Sequence, residues 1–134
     1  MNNRYIFRGK GNPKYNDGEW YYGHLIYDSS DYQIVDPEYG SCRRTVIAET
    51  IGQCTGLTDK NGKLIFEGDV VRTKYYGKII KNRNVADYDI FKVVYAYAMF
   101  RAENKNRTFN LIDGARYEII GNIHDNPELL EVER

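Results

Sequence analysis

The chain is poor in the residues that metal, redox and proton-transfer chemistry draw on. Its 134 residues hold two cysteines, two histidines, two methionines and one tryptophan. Cys42 and Cys54 lie twelve apart, and His24 and His124 stand far from each other. That is not the spacing of a zinc site, so no metal and no cofactor are expected. A P-loop and a nucleophile elbow are both missing, and no catalytic residue is predicted. Long apolar runs are absent too. No segment approaches the ~20 residues of a membrane-spanning helix, so no membrane partner is expected. Met1-Asn-Asn-Arg-Tyr5 opens on polar residues where a secretory leader carries an apolar stretch. A cytoplasmic setting with reduced thiols follows as the expectation. Charge of one sign is also lacking: 19 basic residues balance 19 acidic ones. Net charge therefore supplies no general attraction to nucleic acid or to a membrane surface.

What the chain has in quantity is tyrosine, thirteen of them. Tyrosine favours strands, and its hydroxyl seeks a partner when buried, which points to a β-rich protein. One domain over residues 1–134 is expected, long enough to bury roughly two-thirds of its unfolded surface. Tyr5-Ile-Phe-Arg8 reads as a short strand, and Gly9 to Gly18 as a loop. Trp20 to Tyr27 and Tyr32 to Val35 read as a hairpin about Asp28-Ser-Ser-Asp31. Pro37 breaks the pattern, since proline lacks an amide to donate, and Cys42 to Ala48 resumes it. Asn61-Gly62 suits a two-residue turn with positive φ at both positions. Phe91 to Phe100 reads as one strand largely apolar on both faces: Phe91, Val93, Tyr95, Tyr97 and Met99 on one, Lys92, Val94, Ala96, Ala98 and Phe100 on the other. Residues 107–112 and 117–124 read as a hairpin through Asp113-Gly114. Asn126-Pro127-Glu128 predicts a short C-terminal helix, with asparagine as its cap and Leu129 and Leu130 folding back.

The stretch Gln53-Cys-Thr-Gly-Leu-Thr-Asp-Lys-Asn-Gly-Lys-Leu-Ile-Phe-Glu-Gly-Asp-Val-Val71 joins two strands and a Gly-Asp corner. It resembles the signature of the YopX-like proteins of phages and prophages. The likeness continues in Phe7-Arg-Gly-Lys10, in Gly18-Glu-Trp-Tyr-Tyr-Gly23 and in Tyr117-Glu-Ile-Ile-Gly-Asn-Ile-His-Asp-Asn-Pro-Glu-Leu-Leu130. The resemblance implies a phage or prophage product working in the bacterial cytoplasm, and no particular reaction. Glu67-Gly68-Asp69 ahead of two valines resembles the corner of SH3-like barrels. Together these readings predict an all-β or β-dominated fold, a small partly closed barrel of antiparallel hairpins with a short C-terminal helix.

Three function classes follow. A non-enzymatic accessory protein would act through self-assembly and partner binding, host proteins included. Val94, Ala96, Ala98 and Phe100 would form its homo-oligomer interface, because two small alanines let another surface approach. A nucleic-acid-binding module would use the basic hairpin 72–83. Arg72, Lys74, Lys78, Lys81 and Arg83 fall there without an acid among them, and Tyr76 could stack on bases. The bland reading is a solvated hairpin whose lysines protect a sheet edge. The third class is an oligomer that sequesters a host small molecule. His124 shares a predicted polar face with Glu118 and Asn122, but a solvated strand histidine is the commoner reading. Asp59, Glu67 and Asp69 could pose as a Mg²⁺ cluster, yet turn chemistry explains Asp59 and the corner explains Asp69.

Overall fold

A computed structural model of the protein describes residues 5–38, 40, 42–74 and 88–131. The chain gathers into two compact units, one up to Gly56 and one from Leu57. Strands β1 (Phe7–Lys10), β2 (Trp20–Asp28), β3 (Asp31–Val35), β4 (Arg43–Thr45), β5 (Gly52–Thr58) and β6 (Leu64–Phe66) make one sheet in the order β4-β3-β2-β1-β5-β6. Strands β7 (Asp69–Lys74), β8 (Tyr88–Ala96), β9 (Met99–Glu103), β10 (Thr108–Asn110) and β11 (Glu118–Asn122) make a second, in the order β10-β9-β8-β7-β11. The β-dominated class is as expected and the barrel is not. A barrel closes only when its outermost strands pair, and among the described residues neither sheet does so.

In the first unit Asp28 and Asp31 face each other across a two-residue turn. Ser29 (φ 52°) and Ser30 (φ 70°) both take left-handed backbone there, as the twist of the flanking strands demands. Ile34, Val46 and Cys54 are buried. Cys54 packs as a small apolar residue, and both cysteines are free thiols.

In the second unit Ile65, Val71, Phe91, Val93, Ala102, Leu111 and Tyr117 form the core. The alternation read from the sequence holds for Phe91 and Val93, both almost wholly buried. It fails beyond Ala96, because the expected single strand is a hairpin. Tyr97 (φ 54°) and Ala98 (φ 64°) turn the chain, and Met99 pairs back onto Ala96. Phe100, opposite Tyr95, therefore returns to the core face, and the two rings meet edge to face at 5.0 Å. The hairpin expected between residues 107–112 and 117–124 is also absent. β10 pairs with β9, β11 pairs with β7, and the two lie at opposite edges of the sheet.

The C-terminal element is a single 3-10 turn, Pro127–Leu130, in place of a helix. The Asn126 side chain does not cap it. Its Oδ1 accepts the Asn122 N–H at 3.2 Å, tying the turn back to β11. The 59–63 turn also differs from expectation: only Gly62 takes positive φ (82°). The Asp59 N–H donates to the Lys63 carbonyl at 2.8 Å and the Gly62 N–H to the Asp59 carbonyl at 3.0 Å. The loop is thus one residue longer than the two-residue form, with glycine at its left-handed end.

Candidate functional site

The second unit holds a cavity of about 700 Å³ on the core face of its sheet. Its floor is aromatic. Period two places Phe91 beside the sheet core, and the pairing Phe109–Ala102–Val93 brings β10 to the same face. Ala102 is small, which lets the Phe109 ring reach Phe91 across the intervening strand. Their centroids stand 5.7 Å apart, edge to face. Tyr117 meets Phe91 in the same way at 6.4 Å. Phe91 and Tyr117 are 1% and 6% exposed, whereas Phe109 is 46% exposed and lies at the mouth.

Tyr117 is held from two directions. Its N–H donates to the Gly114 carbonyl at 3.0 Å, and its own carbonyl accepts the Lys60 N–H at 2.9 Å. Gly114 is glycine for closeness: a Cβ there would run into the Thr58 carbonyl and come within 2.8 Å of Ile65 Cδ1. Gly114 does not take positive φ, although an Asp-Gly pair tolerates it. The charged lining is balanced. Arg107 Nη1 donates to Asp89 Oδ2 at 3.0 Å, and Asp113 and Arg116 flank Tyr117. Burial pushes the Tyr117 hydroxyl above its ordinary pKa, with Arg116 working against that shift and Asp113 adding to it. The hydroxyl therefore keeps its proton at neutral pH. Among the described residues nothing hydrogen-bonds that hydroxyl.

The turn behind the cavity rests on Asp59, a carboxylate 5% exposed. Its Oδ1 accepts the Asn61 and Lys63 N–H groups, both at 2.9 Å, and its Oδ2 accepts the Ile119 N–H at 3.0 Å. The expected turn role holds, and the reach to β11 is additional. Asp69 is the corner residue expected of it: Gly68 takes positive φ (94°), and Asp69 Oδ2 accepts the Phe66 N–H at 2.7 Å. Among the described residues no cluster of histidine, cysteine and carboxylates is arranged for a metal.

Of the basic hairpin, Arg72 is committed elsewhere. Its Nε donates to Glu118 Oε1 at 2.7 Å across the β7–β11 pair, and Lys60 Nζ stands 3.7 Å from the same oxygen. Arg72 holds the Glu118 carboxyl below its usual range, against a smaller opposing effect of burial. Glu118 is thus paired with arginine rather than with His124. Lys74 pairs by its backbone with Tyr88, and Tyr76, Lys78, Lys81 and Arg83 lie outside the described residues. The four interface candidates do not share one face. Val94 and Ala96 do, half-buried; Ala98 sits in the turn, and Phe100 packs against the core.

The cavity itself escaped the sequence reading. Its residues come from separate stretches, and only the alternation that placed Phe91 signalled any of them. Among the described residues no helix is long and apolar enough to cross a membrane.

None of the curated proteins matches the chain. The crystal structure of protein EF1440 from Enterococcus faecalis is similar to it, with 26% sequence identity and a TM-score of 0.54. That likeness covers 92% of this chain and 96% of the other. The YopX protein family matches residues 7–131, nearly the whole length. On that match, with the signature stretch and both end motifs inside it, the chain belongs to the YopX protein family.

Proposed function

We infer that the protein is a non-catalytic phage or prophage accessory protein of the bacterial cytoplasm, acting by binding, and that it takes its partner in the aromatic-floored cavity of the second unit. One observation supports this above others: three rings converge on a space of about 700 Å³, within the size range of ligand sites, with ion-paired side chains lining it. Such a lining orients an occupant. The Asp89 carboxylate is engaged with Arg107 at 3.0 Å, and a guanidinium does not exchange protons near neutral pH. The cavity is built from the second unit's own strands, so binding there requires no second copy of the chain.

The test is a fragment library screened by protein-observed NMR. Shifts that cluster on Phe91, Phe109 and Tyr117, and vanish in Phe109→Ala, are expected. Hits that map elsewhere, or no hits at all, would overturn the reading.

A further inference from the structure

Resting on that reading of the cavity, we propose that its occupant is a nucleobase, presented as a free nucleoside or as an unstacked base of a single strand. The aromatic floor calls for a flat, apolar-faced group, since edge-to-face and offset ring contacts need one. The Tyr117 hydroxyl adds a second requirement. Tyr117 is one of the residues that line the cavity, and its hydroxyl, which keeps some solvent exposure, meets no hydrogen-bond partner among the described residues. A purely hydrocarbon occupant that covered it would strip its water and leave it unsatisfied, which buried polar groups rarely are. The occupant therefore carries polar atoms in the plane of its ring.

The charges set the third requirement. Asp89 and Arg107 pair with each other, and Asp113 and Arg116 also line the cavity, so the lining carries charges of both signs. A lone phosphate or sulfate would face two carboxylates, and a simple cation would face two guanidinium groups. An uncharged edge bearing both donors and acceptors suits this lining, and a nucleobase has such an edge between two apolar faces. The volume of about 700 Å³ leaves room for the attached sugar.

The experiment titrates the full chain with adenosine, guanosine, cytidine and uridine, with short single-stranded RNA and DNA, and with toluene as a ring lacking a polar edge. Affinity is read by calorimetry and position by NMR. At least one nucleoside or strand is expected to bind at Phe91, Phe109 and Tyr117. Tyr117→Phe, which keeps the ring and removes only the hydroxyl, should weaken that binding about tenfold and leave toluene unchanged. Phe109→Ala should weaken both. Equal affinity for nucleoside and strand identifies a free metabolite. Tighter, salt-dependent strand binding identifies single-stranded nucleic acid. Failure of every nucleoside and strand while toluene or library fragments bind at the cavity overturns the nucleobase and leaves the binding site standing. Failure of all of them overturns both. A nucleoside affinity unmoved by Tyr117→Phe also refutes the proposal.

Discussion

Replacing Asp59 by asparagine removes one defined bond and leaves most of the turn intact. In the native chain the carboxylate accepts three backbone N–H groups at 2.9, 2.9 and 3.0 Å. Asparagine can keep its carbonyl oxygen toward Asn61 and Lys63. Its amide nitrogen then faces the Ile119 N–H, donor against donor. A hydrogen bond to a charged group is worth about 1.5–3 kcal/mol, and the half-buried Ile119 donor is left unsatisfied. Asp59→Asn should therefore cost about 2–3 kcal/mol. Asp59→Ala should cost about 4 kcal/mol, because the two turn amides, on exposed residues, fall back on water. Urea unfolding at neutral pH reads both. Acid supplies the control. Burial raises the Asp59 pKa, but the bonds from Ile119, Lys63 and Asn61, with the Lys63 charge, outweigh it and bring the pKa below 3.8. A folded-state pKa below the unfolded value of about 3.9 adds stability that is present above pH ~4 and is lost as pH falls through the folded pKa. The gap between native and Asp59→Asn protein should accordingly narrow below pH ~4. A gap under about 0.5 kcal/mol at pH 7, or one that persists undiminished at about pH 2, would refute the account.

Three further outcomes are expected. Ala98→Gly and Ser30→Gly relieve left-handed backbone at φ 64° and 70°, and each should raise stability by about 0.5–1 kcal/mol in the same urea assay; a loss at either site would count against strain in that turn. Gly114→Ala drives a Cβ into the Thr58 carbonyl and should cost about 2 kcal/mol or more, with Tyr117 resonances shifting; an unchanged unfolding midpoint would show that the backbone yields there. Arg72→Ala should let the Glu118 carboxyl pKa rise toward its ordinary value in an NMR titration, and a pKa that stays depressed would mean that Arg72 is not its main partner.

How far the fold could be read from the sequence depended on the distance between interacting residues. The Asp28-Ser-Ser-Asp31 hairpin, the Gly68-Asp69 corner and the inward phase of Phe91 and Val93 are local matters, and local pattern found them. Tyr97-Ala98 is equally local but carries no turn residue. Nothing in a tyrosine followed by an alanine announces two left-handed positions, so an apolar run of ten reads as one strand. The expected pairing of residues 107–112 with 117–124 fails for another reason. Asp113-Gly114 has turn chemistry, but each flanking strand finds a better partner, one in β9 and the other in β7. The cavity draws on β7, β8, β10 and the turn ahead of β11, and that convergence exists only once the sheet order is known. Arg72 looked available in a window without acids because its acid, Glu118, lies 46 residues downstream.

The order β10-β9-β8-β7-β11 also carries a kinetic consequence. Strands β7 to β10 follow one another as neighbours, so each can zip onto the one before it. Strand β11 must return past all of them to the β7 edge. Its bond from Ile119 to Asp59 closes 60 residues of chain, a closure whose entropy is lost before the contact repays it. That cost predicts that β11 docks late in folding, after the rate-limiting barrier. Asp59→Asn should then act on the unfolding arm of the chevron, speeding escape from the native state while the refolding rate holds nearly constant.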